Sequence, residues 1–289
     1  MKKTFNKTNN KKSFKLLNCH PKSTRKNKSC YNDETIKLLK DNWNHKHNDK
    51  IIATNSDQIW KELKHKISEC KNELCWLDKT LNDNTKIKQI KKTTFVPIAP
   101  LKSWKENNNW LSSTEFNEVM EQYMEKYNNF LYLGPSSIDF DTIINGVCVW
   151  PELCNLSIKK EMEKGKDKIG IILNLDKHSG GGTHWVSLFI DLKKKFIFFF
   201  ESTGTVVPKE VKVFIERMKK QCEELGLNMR VINNMKIRHQ YGTSECGMYC
   251  LFFIISLLKE DKTPEFFLKS RIKDSDVEKY RSVYFNKLL

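Results

Sequence analysis

The sequence predicts an α+β fold, a small mixed β-sheet packed by helices, with a helical appendage on its N-terminal side. Three observations predict it. Residues 169–175, 184–190 and 196–200 are short runs that are apolar at nearly every position, as strands covered on both faces are. Elsewhere apolar residues recur at three- and four-residue steps behind helix caps, the spacing of amphipathic helices. The run 229–235 follows a helix that itself follows 196–200, which makes a β-α-β unit with a right-handed crossover.

Residues 1–32 carry ten Lys or Arg and no acidic residue, so they supply +10 of the net +16 of a 289-residue chain. Rich in Asn, Ser and Thr and poor in large hydrophobes, residues 1–33 read as a disordered basic arm, because such a composition buries too little surface to order itself. Two readings stand: a contact with DNA or another acidic surface, and a plain solvated tail. No apolar stretch follows Met1-Lys2-Lys3, so a secretory signal is not expected. The longest uncharged apolar run, residues 248–258, is too short to cross a bilayer, so no membrane partner is expected.

Residues 34–95 read as the helical appendage. Ile59, Leu63, Ile67, Cys70, Leu74, Leu77 and Leu81 form one stripe behind cap candidates at 54–57. Pro97 and Pro100 end that pattern and place a boundary at 92–98, with the main domain at 96–289. There Ser112-Ser113-Thr114-Glu115 is a capping box for a helix reaching about Asn128, with Phe116, Val119, Met120, Tyr123 and Tyr127 on one face. Residues 176–183, with Gly180 to Gly182 consecutive, form a loop, and 191–195 the turn of a hairpin in which Asp191 is a turn residue. Pro208 and Gly226 bracket a helix over 209–225. Residues 248–259 form a buried helix, and Ser275 to Glu278 a second capping box opening a C-terminal helix.

With 39% hydrophobic residues, 17 Phe and 7 Trp the chain has ample material for a core, and 11 Gly with 7 Pro exclude collagen-like and low-complexity classes. Nine cysteines without a Cys-x-x-Cys pair or a secretory signal argue against a disulfide framework, and the close pairs Cys70/Cys75 and Cys148/Cys154 lack the second half of a zinc site. A reduced intracellular setting is therefore expected. In such a setting a cysteine in a special position is a candidate nucleophile.

Cys246 holds that position, on Gln240-Tyr241-Gly242-Thr243-Ser244-Glu245-Cys246-Gly247 at the mouth of the most hydrophobic helix. Unpaired N–H groups and the positive dipole end there favour a thiolate, and the alternative is a buried structural thiol. His184 leaves the glycine loop at the start of a strand, and Glu201 ends the strand paired with it. With a turn at 191–194 the two lie directly opposite, and a five-residue turn shifts them by one position. Cysteine, histidine and carboxylate are the parts of a nucleophile, its base and an orienter. Gln240 can offer a side-chain amide to an oxyanion beside the backbone N–H of Cys246. His178 and His239 are competing bases, but neither has Glu201 opposite it.

The order His184-Trp185, Glu201, Gln240, Cys246-Gly247 resembles the cysteine peptidase clan of the adenovirus maturation protease and the ubiquitin-like-protein (SUMO-deconjugating) proteases. The resemblance covers roughly 105–258 and implies their papain-like fold. Many members carry Asp where Glu201 stands; the adenoviral type carries Glu. The family's Trp-Leu-Asn-Asp appears as Trp110-Leu111-Ser112-Ser113, a departure at the position of its acidic substrate contact. In the family, tryptophans matching Trp110 and Trp185 flank a channel that accepts Gly-Gly. The helical appendage, the block Leu133-Gly134-Pro135-Ser136-Ser137-Ile138-Asp139-Phe140 and the Lys/Asn-rich composition are similar to maturation proteases of large cytoplasmic DNA viruses, of the African swine fever virus polyprotein protease type.

The leading expectation from that resemblance is a viral cysteine endopeptidase acting on Gly-Gly-containing structural precursors, in the virion and in cytoplasmic viral factories. Its rivals are a SUMO or ubiquitin-like deconjugase, an acetyltransferase with a similar His-Glu-Cys site, and a non-catalytic DNA-binding core protein. No metal or organic cofactor is implied.

Overall fold

A computed structural model describes residues 13–23, 28–100 and 109–287. The chain divides into two compact units, Met1–Val96 and Pro97–Leu289. In the first, four helices, α1 (Asp33–Lys46), α2 (Ser56–Lys66), α3 (Leu74–Thr80) and α4 (Asn84–Thr94), enclose Leu39, Leu63, Trp76 and Leu77. Asn32, Asn55 and Asp83 cap α1, α2 and α4 by accepting N–H groups of the first turn. The stripe from Ile59 to Leu81 is buried throughout, but it is split between two helices by a turn that the Cys70–Cys75 disulfide closes.

The structure corrects two expectations. Residues 1–12 and 24–27 of the expected disordered arm lie outside the described residues. The rest of it is built into the first unit: Leu17, Cys30 and Tyr31 are buried, Cys19 is bonded to Cys30, and Val96 N–H donates to Asn18 C=O. Six of the nine cysteines are paired, as Cys19–Cys30, Cys70–Cys75 and Cys148–Cys154, while Cys222, Cys246 and Cys250 are free and buried. The close pairs that made no sense as zinc ligands are bonded to each other, each closing a short local loop.

The second unit is a five-stranded mixed sheet in the order β1-β4-β5-β6-β7. Its strands are β1 (Phe130–Ser137), β4 (Lys168–Asn174), β5 (Trp185–Asp191), β6 (Phe196–Phe200) and β7 (Arg230–Asn233), and a separate ribbon pairs β2 (Ile143–Ile144) with β3 (Val147–Cys148). Pairing is parallel at β1/β4 and β6/β7 and antiparallel between. Helices cover both faces. On one side lie α5 (Ser113–Lys126), α9 (Cys246–Leu258) and the short α10 (Phe266–Lys269), α11 (Asp274–Glu278) and α12 (Arg281–Tyr284). On the other lie α6 (Pro151–Cys154), α7 (Ile158–Glu163) and α8 (Lys209–Glu224). This explains the unbroken apolar runs: Phe198 and Phe200 meet Phe253 of α9 at 4.9 and 4.7 Å, while Ile197 and Phe199 face the α8 side. Among the described residues no helix is long and apolar enough to cross a membrane.

Three local differences from the sequence reading bear on the site. Asp191 pairs with Phe196, so it ends β5 and the turn occupies 192–195. Its carboxylate accepts the N–H of Lys194 at 2.7 Å, capping a turn that closes with Lys195 at φ +54°. The register therefore moves by two residues, which leaves His184 and Glu201 on one face but diagonal. The nucleophile helix begins at Cys246 itself. The second expected capping box does not form: α11 starts at Asp274, with no side chain capping it.

Candidate active site

Cys246 is the first residue of α9 and is 1% exposed. Its backbone N–H is one of the four that a helix start leaves without an intrahelical partner. The residues that follow are uncharged through Leu258 and apolar but for Ser256, so the helix lies buried against the sheet's central strand, β5. His184 stands immediately before β5, where its carbonyl accepts the N–H of Leu175 at 2.8 Å. The loop leading to it is fixed by two side chains. Asn174 Oδ1 accepts the N–H groups of Asp176 and Thr183, and Asp176 Oδ2 accepts that of Gly182.

His184 Nε2 lies 2.6 Å from Glu201 Oε1. Cys246 lies close enough to His184 to raise its hold on a proton, and since Glu201 occupies Nε2, Nδ1 is the nitrogen left to face the sulfur. Burial disfavours the imidazolium, but the polar interactions and negative charge of Cys246 first, and of Glu201 next, outweigh it and lift the His184 pKa to about 9. Burial likewise opposes the charge on Glu201. His184, the N–H groups of Thr205 and Thr203 and the Thr203 hydroxyl reverse this and hold its carboxyl at about 2. At neutral pH the pair is an ion pair in a buried setting.

The partners of Glu201 were not singled out from sequence. Thr203 and Thr205 each donate both N–H and hydroxyl, and Asn234 clasps the Glu201 backbone by accepting its N–H at 2.9 Å and donating to its C=O at 2.7 Å. The signal for the threonines was legible in Glu201-Ser202-Thr203-Gly204-Thr205, a tight turn folding its donors back on the acid. A lone asparagine at a strand end carries no such signal.

Gln240 is buried, its Oε1 accepting the Ser202 hydroxyl at 2.6 Å and its Nε2 donating to Gly242 C=O at 3.0 Å. One amide hydrogen is thus engaged and the other is not fixed by that bond. The competing histidines are otherwise employed. His178 pairs with Asp139 at 2.7 Å; His239 is buried, within 3.2 Å of Phe267 C=O and accepting the Ile272 N–H.

The two tryptophans are near the loop of the cysteine by different routes. Trp110, 49% exposed, donates its indole N–H to Thr243 C=O at 2.8 Å. Trp185 donates to Leu111 C=O at 3.1 Å and meets Phe116 edge-on at 5.0 Å. Both line one cavity of about 550 Å³, together with Gly180 to Gly182, Ser136 and Trp150. Among the described residues no group of three or more His, Cys, Asp or Glu is arranged to hold a metal ion.

Residues 114–288 match the Ulp1 protease family, C-terminal catalytic domain. The chain belongs to that family. A protein of Acanthamoeba polyphaga mimivirus that carries a thiol protease name is 29% identical over 192 residues, 66% of this chain and 60% of that one. A protein of African swine fever virus, named a cysteine protease or SUMO-1 cysteine protease, is 29% identical over 188 residues, 62% of this chain and 68% of that one. The crystal structure of an African swine fever virus protease superposes with a TM-score of 0.68 at 22% identity, covering 96% of this chain and 98% of that one, and so shares the fold. The α+β architecture and the cysteine-protease class read from the sequence stand.

Proposed function

We propose that this Ulp1-family chain is a cysteine endopeptidase that cuts structural protein precursors after Gly-Gly during particle maturation, with Cys246, His184 and Glu201 as its catalytic group. The observation that carries the reading is His184 held by Glu201 at 2.6 Å, with the Cys246 thiol that opens α9 near enough to raise its hold on a proton. With His184 already holding the proton, Cys246 attacks as the thiolate of that pair: its sulfur bonds to the scissile carbonyl carbon, whose oxygen takes up the negative charge. The N–H of Cys246 and the amide of Gln240 stabilise that oxygen. As the C–N bond breaks, His184 gives its proton to the leaving amine; water then cleaves the thioester, with His184 taking the water's proton. Glu201 fixes the ring and supports its charge.

Gly-Gly preference is supported by the two indoles and three glycines that line one cavity, since a passage walled by large rings suits residues without side chains. A role in maturation, in particles and cytoplasmic factories, is supported by the viral relatives. The name SUMO-1 cysteine protease carried by one relative favours a second reading, removal of a ubiquitin-like modifier. Purified protein incubated with linear Gly-Gly precursor peptides and, separately, with SUMO-modified protein tests the choice. Cleavage of the peptides far faster than of the conjugate supports the endopeptidase; the reverse overturns it.

A further inference from the structure

We infer that Asp274 is a positioning residue for the oxyanion side of this site, acting through the backbone of Tyr241 and Gly242 and the amide of Gln240; the inference rests on the peptidase reading. Asp274 opens α11, yet its carboxylate turns away from that helix. It accepts the N–H of Tyr241 at 3.3 and 3.1 Å and that of Gly242 at 3.2 Å. The Tyr249 hydroxyl lies 2.8 Å from its Oδ1, and Arg271 is 3.5 Å from Oδ2. Hydrogen bonds to a carboxylate are about twice as strong as neutral ones, so this is a firm clamp on two consecutive amides.

What the clamp holds is the support of Gln240. The amide of Gln240 is held at both ends, Oε1 accepting the Ser202 hydroxyl at 2.6 Å and Nε2 donating to Gly242 C=O at 3.0 Å, so its orientation depends on the Gly242 backbone as well as on Ser202. A glycine between two peptide planes is the freest joint a chain has. With its N–H fixed on Asp274 the plane on one side of the joint is held, which narrows where the carbonyl on the other side, the one that takes the Gln240 amide, can point. The other end of the clamp is Tyr249, fully buried on α9 three residues after Cys246, so the loop is referenced to the helix that carries the nucleophile. Neighbouring bonds run the same way. Arg271 Nε donates to His239 C=O at 3.0 Å, Ile272 N–H donates to His239 Nδ1 at 3.0 Å, and His239 Nε2 reaches Phe267 C=O. Phe267, Arg271, Ile272 and Asp274 thus brace His239, Tyr241 and Gly242 on either side of Gln240.

A mere brace and a positioning residue differ in what they touch chemically. A Gly-Gly peptide aldehyde forms a tetrahedral hemithioacetal with the thiol, whose oxygen needs the oxyanion donors; alkylation of the same thiol by iodoacetamide needs none. In full-length Asp274→Ala and Asp274→Asn, aldehyde affinity and kcat should each fall by about tenfold with KM little changed, a fraction of the effect of removing a donor outright. Iodoacetamide alkylation should stay within about twofold of wild type, and Asp274→Ala should add nothing in a Gln240→Ala background. Unchanged aldehyde affinity in folded variants, an equal fall in alkylation, or additivity with Gln240→Ala would each overturn the inference. Asp274→Asn keeps the side-chain volume; loss of the fold in both variants would make Asp274 structural and overturn it too. A wild type that binds no aldehyde while its thiol alkylates would instead remove the peptidase reading, and this inference with it.

Discussion

Replacing Glu201 by glutamine removes a charge while keeping the shape, and the surroundings of this side chain set the consequence. Oε1 faces His184 and the Thr203 N–H; Oε2 faces the Thr205 N–H, and both threonine hydroxyls lie within 2.9 Å. Whichever way the new amide turns, its NH2 meets a fixed backbone N–H, so no orientation satisfies the site. The proton on His184 loses its counter-charge, and its pKa moves from about 9 toward the ordinary 6.5. Cys246 still supports the imidazolium, so the shift stops short of 6.5, and the protonated fraction at pH 7.5 falls from nearly complete by at most about tenfold; kcat/KM should fall by up to that factor from protonation alone. The sign follows from the shifts. The His184 contribution to the folded ion pair is complete below about 6.5 and lost as pH rises through about 9; that of Glu201 is complete above 4.5 and lost as pH falls through about 2. The assay is kcat/KM on a Gly-Gly peptide between pH 5 and 10. Wild type should decline on the alkaline side near 9, and Glu201→Gln should decline earlier. An unchanged alkaline limb in a folded Glu201→Gln protein would refute the reasoning.

Three further outcomes are expected. Gln240→Ala should lower kcat by ~10²–10³ with KM little changed, measured by steady-state kinetics on the same peptide. Trp185→Ala should relax the demand for glycine, read as a rise in cleavage of Gly-Ala relative to Gly-Gly peptides, because the indole that lines the cavity is gone. Thiol titration of unreduced, denatured protein should find the three cysteines 222, 246 and 250 and not the other six; reducing the Cys19–Cys30 bond, which spans 11 residues, should cost the first unit about 3 kcal/mol of stability in a denaturant melt.

The strands β4, β5 and β6 were legible because helices cover both faces of the sheet, which demands an apolar residue at nearly every position. β1 was not, because Gly134-Pro135 interrupts its pattern and strips it of any strand signal. The meeting of His184 and Glu201, expected directly opposite and found diagonal, survived a register misplaced by two residues, since such a slip preserves the face. The cysteine pairs could not be read: spacings of five and six carry no signal until the turn between them is known. Asp274 was hidden for a similar reason. In the sequence it stands beside a capping pattern, and only the fold shows that its carboxylate serves a loop more than thirty residues earlier.

The most direct test of the central claim is intact-protein mass spectrometry after exposure to a Gly-Gly peptide with a C-terminal electrophile, beside the Cys246→Ala variant. The expected result is a single adduct on Cys246, absent from the variant and prevented when bulky residues replace the glycines. Correctly folded protein that forms no adduct, or one that forms it equally in Cys246→Ala, would contradict a thiol peptidase centred on that residue.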